Sequence, residues 1–233
     1  MFSIRNTQLS SKKSFILLLL AFTIFLILDG CGDDPTRARR RRAGGGGGDI
    51  SASDLPCAGG GGGTPTKIIY VTDGTTDGLI GAGGIAAADA FCMADANRPA
   101  SVTNADAFLT DGPVGVRIPC TTANCGGGPG EHVDWVLDAN TQYTRTDGTV
   151  IGTTNANGIF SFPLTNSWNG VEETSYTGIG IDWTPTTLDC SGWTTAAGVV
   201  TGTVGANNST TNTALNTATA TCDTGARLIC VQR

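Results

Sequence analysis

Lys67-Ile-Ile-Tyr-Val-Thr-Asp73 and Gly84-Ile-Ala-Ala-Ala-Asp-Ala-Phe-Cys-Met-Ala-Asp-Ala96 lie one after the other in the chain and have opposite local preferences. The first is β-branched and aromatic and ends on Asp73-Gly74, which predicts a strand followed by a turn. The second is rich in strong helix formers, sets Ile85, Ala88, Phe91 and Cys92 near one stripe, and stops before Asn97 and Pro99, which predicts a helix. Beyond them the chain is dominated by Thr, Gly and Asn, with short apolar pieces at Ala107-Phe-Leu109, Val133-Asp-Trp-Val-Leu137, Gly158-Ile-Phe-Ser-Phe162, Tyr176-Thr-Gly-Ile-Gly-Ile-Asp-Trp183 and Arg227-Leu-Ile-Cys-Val231. These read as short strands separated by turns. The expected class is α+β, in one domain spanning residues 66–233, long enough to bury its own core. Its loops are unusually long, and loops of that length are normally functional or cross-linked.

Upstream, Lys12 and Lys13 precede an apolar run from Phe15 to Leu28. At about 1.5 Å per residue the run reaches roughly 20 Å, against a hydrocarbon core of about 30 Å, so residues 1–30 read as a secretory signal peptide rather than a membrane span. Leu28-Asp29-Gly30-Cys31 resembles the lipobox of bacterial lipoproteins, with Asp29 where a small apolar residue is usual; spirochaetal lipoproteins accept a looser pattern. The resemblance implies lipidation at Cys31 and a peripheral, lipid-anchored protein; the alternative is an ordinary extracellular cysteine behind a standard signal. Residues 31–65 hold two five-glycine tracts and five arginines between Arg37 and Arg42, and read as a flexible tether. The glycine tracts lack the strand, helix and lysine spacing of a phosphate loop. The arginines are either a second membrane signal beside the lipid or a solvated charge run.

From Thr64 onward six Lys and Arg face fifteen Asp and Glu, a net charge near −9. That sign argues against nucleic acid or heparin as main partner. Eight cysteines in an exported chain favour disulfides over zinc, because only Cys120 and Cys125 are closely spaced and His132 is the single histidine. With Cys31 lipidated, seven remain, and Cys57, between glycine-rich segments, is the candidate for a free or intermolecular thiol.

The strand, the helix carrying Cys92, the long middle region, Cys190-Ser-Gly-Trp193, Cys222 and Arg227-Leu-Ile-Cys-Val231 together resemble the C-type lectin-like fold in its endostatin-like form. With Thr153-Thr-Asn-Ala-Asn-Gly-Ile-Phe-Ser-Phe-Pro-Leu-Thr-Asn-Ser167 added, they resemble the leptospiral endostatin-like surface lipoprotein family over roughly Lys67 to Val231. The resemblance implies nested disulfides, Cys92 with Cys230 and Cys190 with Cys222, with Cys120 and Cys125 as a local bridge. Trp193 is expected beside the inner bridge, and Trp135, Trp168 and Trp183 in the core. The calcium-and-sugar triplets of C-type lectins do not occur; Trp168-Asn169-Gly170 is a partial echo that lies too early in the chain. Asp182 and Asp189 are loop carboxylates able in principle to bind calcium, though a solvated acidic surface is the favoured reading and no metal or cofactor is expected.

The family resemblance further implies an outer-membrane, surface-exposed adhesin for host matrix proteins such as laminin and fibronectin, or for complement factor H. Endostatin's basic heparin patch is missing, and Lys67 is the only lysine after the signal, which weighs against lysine-dependent plasminogen capture. The alternatives are a carbohydrate-binding lectin-like module and a structural envelope lipoprotein without host ligand. No enzyme is expected: one histidine, His132, leaves one place for a base, no nucleophile motif accompanies it, and Glu172-Glu173, adjacent in an extended chain, point to opposite faces. No ligand-contact residues and no oligomeric state are assigned from sequence.

Overall fold

The computed structural model describes residues 64–233; the signal peptide (1–30), the lipidation site Cys31, Cys57 and nearly all of the tether lie outside the described residues. No helix among the described residues is long and apolar enough to cross a membrane.

The domain is mixed α+β and mostly sheet. Its centre is a five-stranded sheet built from β1 (Thr66–Val71), β2 (Ala105–Ala107), β3 (Gln142–Thr144), β4 (Val150–Thr153) and β8 (Ile229–Gln232), in the order β2-β8-β1-β3-β4. β1 runs antiparallel to β8, with Tyr70 opposite Cys230, and parallel to β3. β5 (Thr174–Tyr176), β6 (Thr201–Ala206) and β7 (Ala218–Thr221) form a second, antiparallel sheet.

The two central strands are apolar on both faces because both faces are covered. Ile69 and Val71 of β1, with Ile229 and Val231 of β8, join one core cluster containing Phe108, Tyr143, Trp135, Trp168 and Trp183. Tyr70, Leu228 and Cys230 point the other way, into a second cluster with Trp193 and Tyr176. The one long helix among the described residues, α1 (Ile85–Ala94), lies over that second cluster through Ile85, Ala88 and Cys92, and Phe91 is only half-buried. Tyr70 donates its hydroxyl to the Cys92 carbonyl at 2.7 Å. Burial raises that phenol to a pKa of about 12.

The structure brings together each cysteine pair that the resemblance implied: Cys92 with Cys230, Cys190 with Cys222, and Cys120 with Cys125. The first closes 138 residues, worth about 5 kcal/mol in the chain-entropy picture, and fixes α1 to β8. All four tryptophans are buried.

Of the later apolar pieces, 227–231 supplies β8 as expected, Ala107 and Tyr176 close β2 and β5 while the residues after them leave the sheets, and 133–137 and 158–162 form no strand. Residues 133–137 make one isolated bridge, Val133 to Ile118, and residues 158–162 one, Phe160 to Thr154, both outside the two sheets. Both of these pieces are core-filling loop, held by side chains such as Trp135, whose indole N–H donates to the Gly158 carbonyl at 3.0 Å. Conversely β3, β4, β6 and β7 carry little hydrophobic alternation. In β6 the chain needs small residues: a Cβ on Gly205 would lie 2.0 Å from the Ala214 carbonyl oxygen.

Candidate functional site

Three loops meet at one end of the first core cluster: the segment around the Cys120–Cys125 bridge, the turn at 155–158, and the segment 180–184. Each is fixed to the next. The Asn124 backbone N–H donates to the Asp182 carbonyl at 2.7 Å, from a left-handed backbone at Asn124 with φ 55°. Asn157 donates its amide to the Cys125 carbonyl at 3.2 Å. His132 bridges the first two loops, with Nε2 2.6 Å from the Asn157 carbonyl and Nδ1 on the Pro119 carbonyl. A carbonyl oxygen lies against each ring nitrogen, so both are shielded and His132 acts as a clamp between loops.

Glu131 pins the start of the same segment. Its carboxylate accepts from the Thr122 hydroxyl at 2.6 Å, the Thr122 N–H at 2.6 Å, the Thr121 hydroxyl at 2.9 Å and the Gly127 N–H. The Thr122 hydroxyl bond leads in holding this carboxyl near a pKa of about 2.

These loops enclose an open cleft of about 490 Å³, within the range of small-ligand sites. Its apolar wall is Phe162, half-buried and stacked on the buried Trp183 with centroids 5.8 Å apart and planes 22° apart, beside Ile181, which is 55% exposed. Its polar wall consists of Asn124, Asn155, Ser161, Asp182 and Asn212. Among the described residues, no side-chain hydrogen bond engages Asn124, Ser161 or Asn212. Asn155 uses its oxygen locally, accepting from the Asn157 N–H at 2.9 Å, and Asp182 uses one oxygen on the Thr184 hydroxyl at 2.6 Å. That hydroxyl bond is the main reason the Asp182 carboxyl sits below its ordinary range. The remaining amide, hydroxyl and carboxylate atoms are available to a ligand.

A second recess of about 280 Å³ borders β1, and its Arg145, Asp147 and Asn97 side chains hold internal partners. Arg145 donates to the Ser167 carbonyl and hydroxyl, both at 2.8 Å; Asp147 accepts from the Thr149 N–H; Asn97 donates to the Val71 carbonyl. The charge cluster of Asp89, Asp106, Asp134, Arg117 and Arg233 is likewise consumed internally, Arg117 being 2% exposed. Burial first, then the neighbouring Asp89 charge, raises the Asp106 pKa despite the two arginines.

Other residues singled out from sequence are separated. Asp189 accepts from the Gly192 N–H at 3.2 Å in the turn Cys190–Trp193. Among the described residues no group of three or more His, Cys, Asp or Glu is placed to hold a metal ion. Glu173 pairs with Arg227, Oε2 to Nε at 2.6 Å, which commits it to structure. Asn169 accepts from the Val171 N–H in a local turn. Sequence reading missed Asn124, Asn155, Ser161, Phe162 and Asn212 as a group. The one available signal was the density of Asn and Ser around Phe162 in the stretch 155–167.

The fold and cleft therefore define a disulfide-bridged α+β domain with a preformed, loop-walled cleft. The sequence model of a protein family of unknown function, DUF1554, matches residues 74–210, more than half of the chain, and the chain belongs to that family. The match covers four of the five polar cleft residues, leaving out Asn212, and ends before Cys222 and Cys230. No curated protein matches the chain.

Proposed function

We propose that this chain is a non-enzymatic adhesin of the leptospiral endostatin-like type, a C-type lectin-like domain held at the outer surface of the cell by lipid on Cys31. In this reading residues 1–30 are removed as the signal peptide and residues 31–65 tether the domain to the outer membrane. The domain then binds host matrix proteins, laminin or fibronectin, or complement factor H.

The observation that carries the binding role is the cleft: preformed walls, unengaged polar side chains and a solvent-accessible aromatic, a combination suited to recognition. Three disulfides favour an oxidising compartment outside the cytosol. The engagement of both His132 ring nitrogens by carbonyls favours a binding over a catalytic role, since a general base needs a nitrogen within reach of its substrate.

The test is binding of the oxidised full chain, purified in detergent, to immobilised laminin, fibronectin and factor H, with a reduced sample alongside. Saturable binding to one of them, lost on reduction, is expected. Absence of binding to all three overturns the adhesin role, and a tryptic peptide bearing unmodified Cys31 overturns the lipid anchor.

A further inference from the structure

We infer that the cleft between Phe162 and Asp182 binds an uncharged saccharide directly, without a bridging metal ion. This deepens the adhesin reading and rests on it in one respect: the saccharide would be one displayed by the host glycoprotein.

The chemistry of the walls carries the inference. A pyranose presents hydroxyls, each of which both donates and accepts, together with apolar C–H patches on its ring. The side-chain amides of Asn124 and Asn212 each offer two donors and an acceptor, the Ser161 hydroxyl offers both, and the second Asp182 oxygen accepts. That mixture answers neighbouring hydroxyls better than it answers a charged group. An anionic ligand would meet the Asp182 carboxylate in a domain of net charge near −9 and would find no cation among the cleft residues. A cationic ligand would find one carboxylate, half of it committed to Thr184. The Phe162 ring, fixed from beneath by Trp183, supplies an aromatic surface against which C–H groups pack.

Metal-free recognition follows from the donor set. A calcium ion takes 6–8 oxygens, commonly several from carboxylates, and Asp182 is the one carboxylate of the cleft. Preorganisation offsets the entropic cost that makes saccharide binding weak: the Cys120–Cys125 bridge, the His132 clamp and the bond from Asn124 to Asp182 hold the walls before ligand arrives.

The test uses the oxidised full chain in a detergent free of sugar groups. The probes are methyl glucoside, methyl galactoside, methyl mannoside, N-acetylglucosamine and lactose, followed by saturation-transfer NMR with and without EDTA. Saturable signal from at least one probe, unchanged by EDTA, is expected. Asn124→Gly, which keeps the left-handed backbone accessible, and Asn212→Ala should each weaken that signal at least tenfold. Phe162→Ala should abolish it, with near-ultraviolet circular dichroism verifying the fold. Silence from all five probes, loss of signal with EDTA, or unchanged affinity in both asparagine variants overturns the inference.

A parallel arm compares native with enzymatically deglycosylated laminin. A tenfold or greater loss on deglycosylation supports the saccharide. Equal binding overturns the saccharide and leaves the adhesin standing. Failure to bind laminin, fibronectin and factor H overturns the adhesin, and the five small probes then decide the cleft independently.

Discussion

Arg117 and Asp89 meet as a two-pronged pair, Nη1 to Oδ1 at 2.7 Å and Nη2 to Oδ2 at 3.0 Å, with the guanidinium almost wholly buried. The pair ties α1 to the loop that precedes Cys120. Asp134 accepts from Nη2 at 2.7 Å and the Ala107 carbonyl from Nη1 at 3.0 Å, so the guanidinium is well satisfied. Burial pulls the Arg117 pKa down, but the hydrogen bonds and charges of Asp89 and Asp134 more than offset it, and the net shift is upward.

Breaking this buried network from one side leaves carboxylates without their partner. Arg117→Met should therefore lower unfolding free energy by about 3–5 kcal/mol. For a domain of this size that is a fall in thermal midpoint of about 10 °C. Arg117→Lys should not restore it, because an ammonium cannot span both Asp89 oxygens. Thermal unfolding followed by circular dichroism measures both; a midpoint within 2 °C of the parent for Arg117→Met would sink the prediction (about 0.5–1 kcal/mol).

Two of the three bridges should separate stability from binding. Replacing Cys92 and Cys230 by alanine opens the longest loop and should cost about 5 kcal/mol. Replacing Cys120 and Cys125 should cost only about 2 kcal/mol, since that loop is short. The second replacement nevertheless loosens a cleft wall, so ligand affinity should drop at least fivefold while the thermal midpoint falls by about 5 °C, less than half the fall expected for the first. Denaturant unfolding and binding, measured on the same two variants, check the contrast.

His132→Ala should free the 155–158 turn from the Cys120–Cys125 loop. It removes two contacts to buried or half-buried carbonyls, a loss of about 1–3 kcal/mol. Hydrogen exchange should quicken at Gly158, whose N–H reaches the Asn155 carbonyl within that turn, while amides of β1 and β8 keep their protection. Uniform acceleration across the domain would instead mark His132 as part of the global core.

Glu131 gives the domain an acid-sensitive corner. Its folded pKa, about 2, lies below the ordinary value of 4.5, so its contribution is fully present above 4.5 and is lost as the pH falls toward 2. The carboxyl carbon of Glu131 should titrate with a midpoint near 2 by NMR, and Glu131→Gln should flatten that part of the stability profile. A midpoint near 4.5 would show that the threonine bonds do not hold the ionised form.

Much of the frame was legible because it depends on local, strongly patterned chemistry. The β-branched run at Lys67–Thr72 and the alanine-rich run through Cys92 announce β1 and α1 by period and propensity, and Leu228–Val231 announces a strand by continuous apolarity. The apolar pieces at Val133–Leu137 and Gly158–Phe162 misled, because an apolar run says that a segment is buried and not that its backbone pairs. Strands β6 and β7 were invisible for the converse reason: Thr201–Ala206 is chosen for small size against Ala214 and Cys190, and Ala218–Thr221 packs little.

By itself the sequence determined the class of domain, the acidic balance, and the presence of enough cysteine to cross-link long loops. Tertiary structure alone decided the cleft. Asn124, Asn155, Phe162, Asp182 and Asn212 span almost ninety positions, and no period or spacing connects them. They converge because Trp183 and Trp135 fill one core beneath them and because backbone carbonyls at Pro119, Cys125, Asn157 and Asp182 find their donors across loops. Those bonds depend on where the chain passes, which side-chain identity does not encode locally.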